Sequence, residues 1–232
     1  MPNVEKAHCN VCLGETNHRV LHKEATKWSE QVDFGQYSIS GSDTYEMLKC
    51  MGCDAVVLRH TRWWSEEPEP TVIYYPATIQ RQEPRWIDQL LGGGPFGIPR
   101  KKEEYRRNLL REIYIALNNA SPAIAVMGIR GLLEHVMIDK VSDNGSFTNN
   151  LKEFERQGHV GSRQFKTLKE VLEIGHAAIH RSYAPDEQAV DFALDFTENL
   201  LQSIYIHELK AKGIQVPKRK TKRRATPPVS VP

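Results

Sequence analysis

The chain has 232 residues, 40% of them hydrophobic, and a formal net charge of +2, which suits one ordinary domain plus a smaller module, or two modest domains. No apolar run approaches the roughly 20 residues of a membrane span, and the polar start MPNVEKAHCN lacks the stretch of a secretory signal, so no membrane partner and a cytoplasmic setting are expected. The charge is uneven: eight of the 31 basic residues lie at 210–224 with no acid among them, leaving 23 bases against 29 acids elsewhere, a formal −6.

Residues 1–60 are rich in polar turns and short alternating segments, the pattern of small β hairpins, with strands expected at 44–49 and 55–59. Four cysteines fall here as Cys9-x-x-Cys12 and Cys50-x-x-Cys53. In a reducing compartment such pairs read as metal ligands or redox groups rather than as a disulfide frame. Two knuckles from separate turns supply the four thiolates that tetrahedral zinc prefers, so one structural Zn2+ on Cys9, Cys12, Cys50 and Cys53 is expected, closing a small zinc ribbon. The rivals are a redox dithiol and two unrelated pairs of buried thiols, but no thioredoxin-like βαβ pattern accompanies the pairs. Gly14 and Gly52 lie at or beside the knuckles, where a tight turn often calls for positive φ. His8 and His18 are surplus to a four-cysteine site.

Residues 61–100 read as a linker. They hold the short apolar run Val72-Ile73-Tyr74-Tyr75 between prolines, one expected strand, and an amphipathic turn or two at 86–91 before Gly92-Gly93-Gly94-Pro95 breaks the chain. No Lys-Ser or Lys-Thr follows the glycines, so a flexible joint is expected there rather than a phosphate loop.

From 101 to 212 the period turns helical, and five helices are expected. The first, 101–119, sets Tyr105, Leu109, Ile113, Ala116 and Leu117 on one face. The second opens at Ser121-Pro122, with the hydroxyl as expected cap, and runs to about 140. A short third helix covers 147–156. Ser162 is the expected cap of the fourth, which ends near 181. Pro185, Asp186 and Glu187 open a long fifth helix, with Val190, Leu194, Thr197, Leu200, Leu201, Ile204 and Tyr205 as its buried stripe and Gly213 as its stop. The fold class is therefore α+β: a small N-terminal β zinc ribbon, then an all-α bundle of about five helices, then a basic tail at 213–232. The tail's six close charges, Lys218, Arg219, Lys220, Lys222, Arg223 and Arg224, predict disorder. They suit DNA or RNA without sequence preference, with a solubility tail as the alternative.

His176 and His180 stand at i and i+4 on the fourth helix, a spacing that can bind metal but lacks the glutamate of His-Glu-x-x-His. A groove, a subunit contact or a satisfied core position are the other readings, with Gly175, Ala177 and Ala178 letting another helix approach.

The segments Arg130-Gly-Leu-Leu-Glu-His135, Gly145-Ser-Phe and Gly175-His-Ala-Ala-Ile-His180-Arg, taken in order, resemble the prokaryotic domain-of-unknown-function family 4145 over about residues 105–207. Members often carry an N-terminal segment with paired Cys-x-x-Cys motifs, matched here at Cys9 to Cys12 and Cys50 to Cys53. The resemblance implies a bundle related to the HEPN superfamily, which includes metal-independent ribonucleases and non-catalytic parts of antiviral and restriction systems. It implies no defined activity. Catalytic relatives use an arginine separated from a histidine by four to six residues. Leu172, Glu173 and Ile174 occupy the turn where relatives carry an arginine before His180, and the surviving match, Arg130 with His135, is one that chance supplies about twice in such a composition. A non-catalytic binding or adaptor protein linked to nucleic-acid transactions or prokaryotic defence is therefore expected. The alternatives are a ribonuclease using Arg130, His135, His176 and His180, and a self-associating scaffold that forms a homodimer through its helical bundle.

Overall fold

A computed structural model of the protein describes residues 3–32, 36–91, 98–207, 210–211 and 214. The fold is α+β. Five antiparallel strands, β1 (Val4–Cys9), β2 (Gly14–Val32), β3 (Tyr37–Cys50), β4 (Val56–Trp64) and β5 (Thr71–Tyr75), form one sheet in sequence order. The apolar run expected as the linker's one strand is β5, hydrogen-bonded to β4 with His60 opposite Ile73. β2 is 19 residues long, and β1 pairs only with its first part, from Cys9 opposite Gly14 to Val4 opposite Arg19. A bulge between Val20 and His22 then shifts the register against β3.

The inner face of the sheet is held by a charge network as well as by Ala7, Cys9, Leu48 and Cys50. Glu46, 2% exposed, lies between its register partners Lys23 on β2 and Arg59 on β4. Lys23 Nζ donates to it at 2.8 Å and Arg59 Nε at 2.9 Å. Arg59 also bonds Glu5 on β1. Burial would raise the Glu46 carboxyl, but these two cations hold it below its usual range. A single unpaired charge at this depth would be strongly destabilising; bracketed by two donors it ties four strands together.

Five helices follow: α1 (Lys101–Asn118), α2 (Pro122–Val141), α3 (Phe147–Arg156), α4 (Ser162–His180) and α5 (Glu187–Leu201). α5 continues into a π-helical turn, Gln202–His207, instead of running on as α-helix; residues 212 and 213, its expected end, lie outside the described residues. Pro122 occupies the first turn of α2 as expected, but the Ser121 hydroxyl bonds Asn119 O at 3.2 Å and leaves the cap unmade. Ser162 is already helical. Gly161 is the N-cap of α4, and its amide is met by Gln164 Oε1 at 3.1 Å. Asp186 caps α5 through Ala189 N at 2.8 Å.

The buried side of α1 is Arg106, Leu110, Ile113, Tyr114 and Leu117, a stripe rotated from the one expected; Tyr105 is 53% exposed. The reason is Arg106, 3% exposed, whose guanidinium lies 3.7 Å from the centre of the Tyr205 ring, donates to Leu90 O at 3.0 Å and faces Asp139 at 3.4 Å. Aromatic stacking and a carboxylate make burial of that arginine tolerable. The helical core draws on α1 to α5, on Val160 and the π-helical turn, and on Ile87 and Leu90 of a 3-10 turn (Ile87–Leu91), the amphipathic turn expected at 86–91. No residue of the sheet belongs to it.

Candidate metal centre

β1 ends on Cys9 and β3 ends on Cys50, so each Cys-x-x-Cys begins where a strand stops and spans the turn into the next. In the first turn Leu13 N donates to Cys9 O at 2.8 Å, and in the second Asp54 N donates to Cys50 O at 3.1 Å. Amides also point at sulfur: Cys12 N to Cys9 Sγ and Gly52 N to Cys50 Sγ, both at 3.4 Å. Met51 N donates to Asn17 O at 2.9 Å and fastens the second turn to β2.

This brings the four sulfurs within 4.8 Å of one another. Cys9 and Cys53 are 3.5 Å apart, Cys12 and Cys50 3.8 Å. Four thiolates around a tetrahedral zinc at about 2.3 Å stand about 3.8 Å from each other, so the donor set fits such an ion in number, chemistry and spacing. The arrangement is able to hold a metal ion, and it is the grouping the Cys spacing predicted. His8 and His18 stay out of it. His18, buried, bonds the Thr16 carbonyl through Nδ1 at 3.0 Å.

The thiols differ in ways only their contacts explain. The Thr16 hydroxyl, 3.2 Å from Cys50 Sγ, with the amides behind it, draws the Cys50 thiol down to about 6. Cys12, which shares protons with Cys53 and Cys50, is pushed up to about 12. Crowded thiols of this kind shed their protons together only when a cation takes their charge.

The expected positive φ lies elsewhere than on the glycines. It is taken by Leu13, φ 60°, and Asp54, φ 61°, the residues directly after Cys12 and Cys53. A Cβ at Gly52 would lie 3.4 Å from Cys12 Sγ, an ordinary contact distance. Sequence reading also passed over Asn10, inside the first knuckle. Its side chain donates to Ala77 O and accepts from Ile79 N, both at 2.9 Å. The next residues are gripped by the helices: Asn118 Oδ1 accepts from Gln80 N and Arg81 N, and Arg81 reaches Asp195 at 2.5 Å and Glu198 at 2.8 Å. A polar residue between the paired cysteines was the one available signal; nothing marked Thr16.

The helical candidates are distributed differently. α2 and α4 meet closely at Gly175, where a Cβ would lie 2.7 Å from Arg130 Cβ and 2.8 Å from Val126 O, so the glycine serves the close approach expected of it. Arg130 donates to Leu172 O at 2.9 Å and covers the Phe147 ring at 4.3 Å. His135 packs against Tyr105 of α1, ring centres 4.9 Å apart, with Nε2 buried and unpartnered. His176 and His180 lie with ring centres 4.6 Å apart. Arg181 pairs with Glu173 at 2.5 Å. Thus His176 and His180 come together, while Arg130 and His135 are each engaged with other partners. The basic residues Lys218, Arg219, Lys220, Lys222, Arg223 and Arg224 lie outside the described residues.

Among the described residues no helix is long and apolar enough to cross a membrane. No curated protein and no solved structure matches the chain. The helical half is similar to the family described as a domain of unknown function (DUF4145), whose model matches residues 111–221.

Proposed function

We propose that the four cysteines hold one structural Zn2+, and that the protein is a non-catalytic binding or adaptor protein in nucleic-acid transactions of the kind prokaryotic defence and restriction systems use. The observation that carries this reading is the sulfur cluster: four thiols within 4.8 Å complete a tetrahedral shell and leave no position for a reacting water. The ion then joins two hairpin turns and stabilises a sheet whose buried apolar residues are few. The nucleic-acid contact is assigned to the basic tail, because the rest of the chain has a formal charge of −6 and has no general attraction for phosphate. The engagement of Arg130 with Leu172 O and Phe147 supports the non-catalytic side of the reading.

The test combines metal analysis with binding. The purified chain should carry about one equivalent of zinc, and a content under about a tenth of an equivalent would remove the metal claim. The same protein is incubated with RNA and with DNA without added divalent metal, beside a chain truncated after Gly213. Truncation should weaken binding and flatten the salt slope by about 4 on a single strand. Unchanged affinity and slope would move the contact to the folded part. RNA cleavage that both His180→Ala and Arg130→Ala abolish would establish a ribonuclease instead.

A further inference from the structure

Among the described residues the sheet has three free stretches of edge at least five residues long. β1 is six residues long and β5 five, the latter between Pro70 and Pro76, and short or proline-flanked edges resist pairing. The third is the distal half of β2. β1 ends its pairing at Arg19, while β2 continues along β3 to Val32 opposite Tyr37. Over residues 22–32 one side of β2 therefore has no strand beside it, every residue from 21 to 31 is exposed, and there is neither proline nor glycine. Long unpaired edges of this kind are templates for another strand.

Which backbone groups face outward follows from the register. Val20, opposite Leu48, sends its N–H away from β3 to Asn3 O at 3.0 Å. β3 runs without interruption, so the β2 residues opposite Glu46, Thr44, Ser42 and Ser40, namely Lys23, Ala25, Lys27 and Ser29, present their N–H and C=O on that same free side. We propose that residues 22–32 of β2 pair antiparallel with the same segment of a second copy of this chain, joining two sheets into one of ten strands about a two-fold axis.

The charges along the segment select the register. A two-fold axis normal to the sheet pairs residues of like parity. Centred on Lys27, it sets that lysine against itself and Glu24 against Glu30, two costly oppositions. Centred on Thr26 it sets His22 against Glu30, and centred on Trp28 it sets Thr26 against Glu30, with no like charges opposed in either case. In both registers Ser29 forms a hydrogen-bonded pair with a lysine of the second copy, Lys23 in the first and Lys27 in the second. This surface is separate from the helical half and independent of any ligand of the metal centre.

Ser29 therefore gives the test. Its hydroxyl is exposed and, among the described residues, bonds Ser38 Oγ at 3.2 Å, a contact that lysine and glutamate both lose. Ser29→Lys opposes lysines twice across the axis, and Ser29→Glu pairs with them twice. Sedimentation equilibrium on the full chain should show a dimer whose Kd rises about tenfold in Ser29→Lys and falls by a similar factor in Ser29→Glu. A wild type still monomeric near about 1 mM would leave the edge to a strand of some other protein and overturn the proposal. A dimer with the same Kd in both variants would lie on another surface and overturn it equally.

Discussion

The side chain of Asn10 lies between Cys9 and Cys12 of the sulfur cluster and holds the backbone at Ala77, its amide donating to that carbonyl at 2.9 Å while its oxygen takes the Ile79 N–H at 2.9 Å. The chain from 77 to 81 is thus pinned by a cysteine knuckle at one end and by Asn118 and the acids of α5 at the other. Asn10→Ala should cost about 1–3 kcal/mol locally through two lost hydrogen bonds. Faster amide exchange at Ile79 with an unchanged zinc content is the expected result. Loss of zinc would mean that the residue shapes the knuckle itself.

Cys50→Ser should free the metal and open the sheet while the helices persist, because no sheet residue contributes to the helical core. Amide exchange resolves the two halves: protection along β3 should fall toward that of an open chain, and protection in α2 should stay. Collapse of both together would show that the 77–81 segment transmits the damage.

Two glycine substitutions in the bundle should have opposite signs. Gly175→Ala places a methyl 2.7 Å from Arg130 Cβ and 2.8 Å from Val126 O, and since backbone cannot yield cheaply it should cost about 1–3 kcal/mol. Gly131, exposed on α2, has nothing within 4 Å of an added Cβ. Gly131→Ala should stabilise by about 1 kcal/mol through helix propensity. Urea midpoints of the two variants against wild type decide the matter.

Acid should act in two steps. Burial holds the His135 imidazole below its ordinary 6.5, so the unfolded chain takes a proton that the folded one resists, and stability falls as the pH drops below that value. Glu46 and Asp139 follow. Burial would raise both, but Lys23 and Arg59 carry Glu46 below 4.5, and Lys102 and Tyr205 carry Asp139 below 3.8. Their contribution is complete above those values and is lost as the pH falls through the depressed ones. His135→Gln should flatten the melting temperature between about pH 6.5 and 5 and leave the loss below about pH 4 in place.

The sequence alone determined whatever a short stretch of chain encodes. The two Cys-x-x-Cys pairs announced a shared site because their spacing is that of a knuckle, and the helices of the second half were legible in period, in Pro122 and in the acids at 186–187. Local rules failed where a distant partner intervened. Arg106 reads as a surface residue and is buried, because Tyr205, Asp139 and the Leu90 carbonyl meet it there, and its burial turns the whole face of α1. Ser121 and Ser162 have the chemistry of caps and do not cap, since a cap depends on where the preceding chain enters. Positive φ fell on Leu13 and Asp54 because the amide-to-carbonyl bonds that close each knuckle set the backbone there, whatever glycine lay nearby. The tertiary structure alone decided that Thr16 would touch Cys50, that Asn10 would reach Ala77, and that β2 would outrun β1 and leave an open edge. Each of these depends on residues far apart in the chain meeting in space, and no local propensity records such a meeting.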